Sequence, residues 1–109
     1  MKRLLLDENL PIDLRLLFSP EFEVYTVVYM GWDSYQNGQL LTVMKQNGFD
    51  ALITADRNLQ YQQNIIKYQV RIIVLDCAST VLNELKPFIP LVEAELRKES
   101  DAFVAVISR

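Results

Sequence analysis

Leu4-Leu5-Leu6-Asp7-Glu8-Asn9 near the start of the chain and Ala51-Leu52-Ile53-Thr54-Ala55-Asp56 at its middle share one form, a short apolar run that ends on acidic and polar residues. An uninterrupted apolar run of this length marks a strand buried on both faces of a parallel sheet. The pattern predicts strands over Arg3 to Leu6 and Asp50 to Thr54. Val70 to Leu75 is nearly all β-branched and ends on Asp76, a further strand of the same kind. Phe22 to Val28 combines β-branched and aromatic residues and reads as another. Ala102 to Ile107 alternates in character and reads as the last.

The segments between these strands carry helical spacing. Asn9 can cap a helix with Pro11 in its first turn, and Leu10, Leu14, Leu17 and Phe18 then mark one apolar face. Met30 to Gly38 reads as irregular, and Gln39 to Gln46 as a helix with Leu40, Val43 and Met44 inward. Asn47-Gly48 is a helix stop. A short polar helix is expected over Leu59 to Tyr68. Another begins near Ser79-Thr80, breaks at Lys86-Pro87 and resumes toward Arg97. Strands alternating with helices predict an α/β fold: a three-layer sandwich around a central, mostly parallel five-stranded sheet. The commonest right-handed winding puts the first strand between the second and third. The direction of the last strand is left open. In such sheets a ligand binds beyond the carboxyl ends of the strands, where the winding reverses. That rule points just past Leu6 and just past Ile53.

The 109 residues make one domain, residues 1–109, and leave no linker-like stretch. Leu4-Leu5-Leu6 is too short for a signal sequence or a membrane span, so a cytoplasmic protein is the expectation, with no membrane partner. With 0 histidines, imidazole-based zinc sites, general bases and triads are excluded. One cysteine, Cys77, excludes an internal disulfide and reads as a small buried hydrophobe. A formal net charge of -3 argues against a broad basic face for nucleic acid, so any such contact must be local.

Asp7-Glu8-Asn9, Thr54-Ala55-Asp56-Arg57-Asn58 and Asp76 follow neighbouring strand ends. Strands about 4.8 Å apart bring such carboxylates within reach of one ion. Oxygen ligands of this kind suit Mg²⁺ or Mn²⁺, which activate water and stabilise charge on a phosphoryl group. Asp7 and Asp56 are the central pair, with Glu8 beside them and Asp76 a further metal ligand if it reaches the same ion. Asn9, Asp56 and Asn58 are equally the residue types that cap helices. Arg57 suits a phosphate or a carboxylate partner. The amides of Gln62-Gln63-Asn64, after Tyr61, suit a substrate contact, support of the acidic cluster, or a solvated face. Tyr25, Tyr29, Trp32 and Tyr35 read as cover for a core edge or a homodimer contact in preference to base stacking.

Taken in order, Leu5-Leu6-Asp7-Glu8-Asn9-Leu10-Pro11, Gly31-Trp32, Asn37-Gly38-Gln39-Leu40-Leu41, the block from Phe49 to Leu59 and Tyr61-Gln62-Gln63-Asn64 resemble the small bacterial PIN-like proteins. These are related to the PIN-domain ribonucleases of toxin–antitoxin systems. The resemblance implies a PIN-like fold and metal-dependent cleavage of RNA, with Asp7, Asp56 and Glu8 catalytic. It also implies Mg²⁺ or Mn²⁺ held by the acids, RNA as substrate and an antitoxin-like protein as partner. Asn9, Asn37, Gln39, Thr54, Arg57 and Asn58 take substrate-contacting or supporting places. A further acid is implied on the helix after the central loop, where this chain has Gln39. Gln keeps the shape and one oxygen acceptor but loses the charge. A PIN-like protein with weakened catalysis, acting by binding RNA or protein, is therefore the second reading. A phosphoacceptor receiver domain is the third, but it needs a Lys after the last strand, where the chain has Ile107-Ser108-Arg109.

Overall fold

The pairing of β1 (Lys2–Leu6) with β3 (Ala51–Thr54) sets the two quoted runs side by side, Leu4 opposite Ala51, Leu5 opposite Leu52 and Leu6 opposite Ile53. The structure is a computed structural model and describes residues 2–61, 65–98 and 103–109. Together with β2 (Phe22–Thr26), β4 (Arg71–Asp76) and β5 (Val104–Ser108), these strands form a five-stranded sheet in the order β2-β1-β3-β4-β5. Every neighbouring pair is parallel, β4 with β5 included, which decides the direction the sequence left open. The winding reverses between β1 and β3, as expected.

Each central strand is apolar on both faces, and the period of two divides its side chains between two cores. Leu4, Leu6, Ala51, Ile53, Ile73 and Leu75 pack in one core with Leu85, Phe88, Ile89, Val92 and Leu96. Leu5, Leu52, Ile72 and Val74 pack in the other with Leu40, Leu41 and Met44. The first core is covered by α3 (Leu82–Leu85) and α4 (Phe88–Arg97), the second by α2 (Asn37–Gln46). Among the described residues no helix is long and apolar enough to cross a membrane.

Several local expectations are corrected. The segment after β1 is a 3-10 turn, Ile12–Leu17, entered from Pro11 without a side-chain cap. Asn9 does not cap it, because its amide is drawn across the sheet edge to Thr54 and Ala55. Leu14 is buried as predicted, but Leu17 is exposed. β2 stops at Thr26 rather than Val28: the Thr26 hydroxyl accepts from the Tyr29 N–H (3.1 Å) and starts a helical turn, α1 (Val27–Met30). α2 begins at Asn37, and Leu41 joins Leu40 and Met44 in the core while Val43 is only half-buried. Its stop is as expected, with Asn47 at the cap and Gly48 left-handed at φ 76°.

In place of one polar helix there are two 3-10 turns, Arg57–Tyr61 and Ile65–Tyr68. Asp56 tightens the first, its carbonyl accepting from the Leu59 N–H. The amides of Gln62, Gln63 and Asn64 lie outside the described residues, as does Ala102 at the expected start of the last strand. The aromatic group divides. Tyr25 and Trp32 pack edge-on against Phe49 at the rim of the second core, whereas Tyr29 is 77 % exposed.

On α4, Glu93 is buried and receives the Ser19 N–H and hydroxyl (both 2.7 Å) and Arg97, tying the approach to β2 onto the helix. Removing a buried acceptor that serves several donors leaves them unsatisfied. Glu93→Ala is expected to cost about 1–3 kcal/mol, read as a lower urea midpoint, with Glu93→Gln losing less. Glu21 is exposed, and the hydrogen bond from Arg97 holds its carboxyl below the ordinary carboxylate range. A lowered folded-state pKa means a stabilising contribution present at neutral pH and lost as pH falls through the lowered value. An acid titration of thermal stability should therefore be slightly flatter at the low-pH end for Glu21→Gln, and the difference should vanish in high salt.

Candidate functional site at the carboxyl edge of the sheet

Because Leu6 pairs with Ile53, the next residues, Asp7 and Thr54, emerge side by side. The Asp7 N–H extends the ladder by donating to the Ile53 carbonyl (2.9 Å). The Thr54 side chain is fully buried, and its hydroxyl donates to Asp7 Oδ2 (2.8 Å). Thr54 Oγ1 itself accepts from the Asp56 N–H (3.0 Å) and from Asn9 Nδ2 (3.4 Å). A hydroxyl has one donor and two acceptor sites, and here all are engaged. Asn9 Oδ1 in turn accepts from the Ala55 N–H (3.3 Å). One buried hydroxyl thus joins the loop after β1 to the loop after β3.

Each acid is also bound by its own loop. Asp7 Oδ1 accepts from the Glu8 N–H (2.9 Å), and the Asp7 carbonyl accepts from Leu10 (3.0 Å). Asp56 Oδ1 accepts from the Asn58 N–H (3.0 Å). Asp7 and Asp56 are both half-buried, while Glu8 and Asn58 are exposed. These backbone contacts fix the two carboxylates without using up their oxygens, since a carboxylate offers about four lone-pair positions.

Two expected members bond elsewhere, and a third stands on another element. Asp76 at the end of β4 is engaged on both oxygens: Oδ1 accepts from Arg57 Nη1 (3.0 Å), and Oδ2 from the Ser108 hydroxyl (3.3 Å). Among the described residues no group of three or more His, Cys, Asp or Glu is placed to hold a metal ion. Gln39 Oε1 accepts from the Gln36 N–H (3.2 Å), completing a capping box at the start of α2. Gln39 lines an open hollow of about 560 Å³ with Tyr35, Gly38, Thr42, Val43 and Tyr68, apart from the acidic pair. Asn37 is the first residue of that helix.

Ser108 was missed from the sequence. Its signal was the end of the last strand, readable only once that strand is known to run parallel, so that Ser108 falls opposite Asp76.

The donor set suits one hard cation held lightly. Mg²⁺ is commonly bound by one or two carboxylates, keeping its waters and taking the remaining contacts from substrate phosphates. Asp7 and Asp56 supply two such carboxylates.

Comparison of the chain with protein-family models, curated proteins and solved structures finds no match. The site therefore stands on its own geometry. Thr54→Val keeps the volume but removes the shared hydroxyl, leaving the Asp56 N–H and one Asp7 oxygen without it. A loss of about 1–3 kcal/mol in chemical denaturation is expected, with Thr54→Ser close to the parent.

Proposed function

We propose that the chain is a PIN-like, Mg²⁺- or Mn²⁺-dependent endoribonuclease whose working acids are Asp7 and Asp56. The observation that carries this reading is the Thr54 hydroxyl, which binds Asp7 and the backbone of Asp56 at once, at the point where the winding of the sheet reverses. The residue resemblance over Asp7-Glu8-Asn9 and Thr54-Ala55-Asp56 supports it, and so do apolar cores on both faces of the sheet, which fit a three-layer PIN-like arrangement.

Asp7 and Asp56 would hold the ion, and the chemistry it supplies is activation of water and neutralisation of charge on the phosphoryl group. The chain's own contribution is positional. Thr54 and the Glu8 and Asn58 N–H groups keep two like-charged carboxylates oriented before substrate arrives. Exposed Glu8 stands next to Asp7 as a further acid facing solvent. For a toxin role the reading adds an antitoxin-like protein as partner. A homodimer partner would meet the exposed Tyr29 with Ile12 and Val28.

A second reading is favoured by Gln39 and Asp76. One is neutral and closes a helix cap, and the other is paired with Arg57. On that reading catalysis is weakened and the protein acts by binding RNA or a partner. One experiment separates the two: incubation of parent, Asp7→Asn and Asp56→Asn with several single-stranded RNAs and Mn²⁺. Cleavage by the parent, reduced at least about 100-fold in either variant, is expected. No cleavage by the parent at high protein concentration would sink the nuclease reading. Asp76→Asn should leave Mn²⁺ affinity unchanged.

A further inference from the structure

Arg57 follows Asp56 directly, and its side chain remains 63 % exposed while Nη1 donates to Asp76 Oδ1 (3.0 Å). Asp76 is held from the other side by the Ser108 hydroxyl. The chain Ser108–Asp76–Arg57 thus links the ends of β5, β4 and β3 along the edge that carries Asp7 and Asp56. As a stabilising device this is poor, because exposed ion pairs contribute little. It does place one guanidinium nitrogen at this edge, on a carboxylate whose other oxygen is taken by Ser108.

The distribution of charge gives Arg57 a further meaning. Lys2, Arg3 and Arg71 stand at the starting ends of β1 and β4, and Arg97 and Lys98 at the end of α4. Lys2 and Arg71 both donate to the carbonyl of Leu96, so the end of α4 lies at that same opposite edge. The carboxyl edge collects Asp7, Glu8, Asp56 and Asp76, and Arg109, the residue after β5, lines a hollow there beside Asp76 and Ser108. A polyanion approaching those acids meets repulsion unless a cation is fixed among them.

We infer that Arg57 is a phosphate-binding residue for a single-stranded polynucleotide, held in place by Asp76 and Ser108 beside the Asp7–Asp56 pair. This rests on the proposed reading of the site as one that handles RNA phosphodiesters. It gives Asp76 a role other than metal ligation: Asp76 is a positioning residue, acting through Arg57. A phosphate contact carries no base preference, so the binding it supports is independent of sequence.

The test is fluorescence anisotropy with short labelled single-stranded RNAs of different base composition. It is run in EDTA so that cleavage does not intervene, across a salt series. Arg57→Gln should weaken binding several-fold, equally for every RNA, and reduce the slope of log K against log salt by about 0.7, the value for one phosphate contact on a single strand. Arg57→Lys should keep the slope. Lys98→Gln, which removes a charge from the opposite edge, should match the parent. An unchanged slope in Arg57→Gln, an equal loss in Lys98→Gln, or no RNA binding by the parent overturns the inference. Arg57-dependent binding without Mn²⁺-dependent cleavage sustains the inference while the nuclease reading fails.

Discussion

The arrangement depends on a single hydroxyl in a dry place. Thr54 ends β3 opposite the residue that follows β1, and with no exposure its oxygen must find all its partners within the protein. It finds Asp7, the Asp56 N–H and Asn9. A hydrogen bond to a carboxylate is stronger than a neutral one and stronger still away from water. The two loops that carry the acids are therefore locked to each other as well as to their own strands. The tight 3-10 turn after β3 follows from the same junction, because Asp56 is held there and its carbonyl receives Leu59.

Around that junction the charges are sorted. Two carboxylates stay at the switch point, while Asp76, one strand further out, is paired with Arg57 and hydrogen-bonded by Ser108. The position where another acid is implied is occupied by Gln39, whose side-chain oxygen closes the cap of α2. Fewer unpaired anions at one edge means less mutual repulsion. For a hard ion the same arrangement would offer fewer charged oxygen ligands.

Much of the fold was legible because burial on both faces leaves a plain mark. Leu4-Leu5-Leu6, Ala51-Leu52-Ile53 and Ile72-Ile73-Val74-Leu75 are apolar without a break, and their strands fall within a residue or two of the expected bounds. Asn47-Gly48 ends its helix for the reason read from it, since Gly48 takes a left-handed conformation. The misreadings share one cause. Asn9 has the sequence context of a helix cap, and Thr26 looks like mid-strand, yet each side chain bonds where the local pattern did not point. Polar side chains offer several local geometries of similar energy, and distant partners choose among them. Ser108 was invisible for a related reason: its contact with Asp76 exists only because β5 is parallel to β4.

By itself the sequence determined which segments are strands, that the strand order would reverse near Leu6 and Ile53, and that Asp7 and Asp56 would stand at that reversal. The strands follow from the chain's own apolar periodicity, which acts over a few residues, and the reversal from the right-handed winding of parallel crossovers. Tertiary structure alone decided which acids belong together. Asp7 and Asp56 are joined through Thr54, whereas Asp76 is drawn to Arg57 and Gln39 to its own helix cap. The physical reason is register. Hydrogen bonds act over about 3 Å, so which polar atoms meet depends on how strands and loops far apart in the chain are aligned.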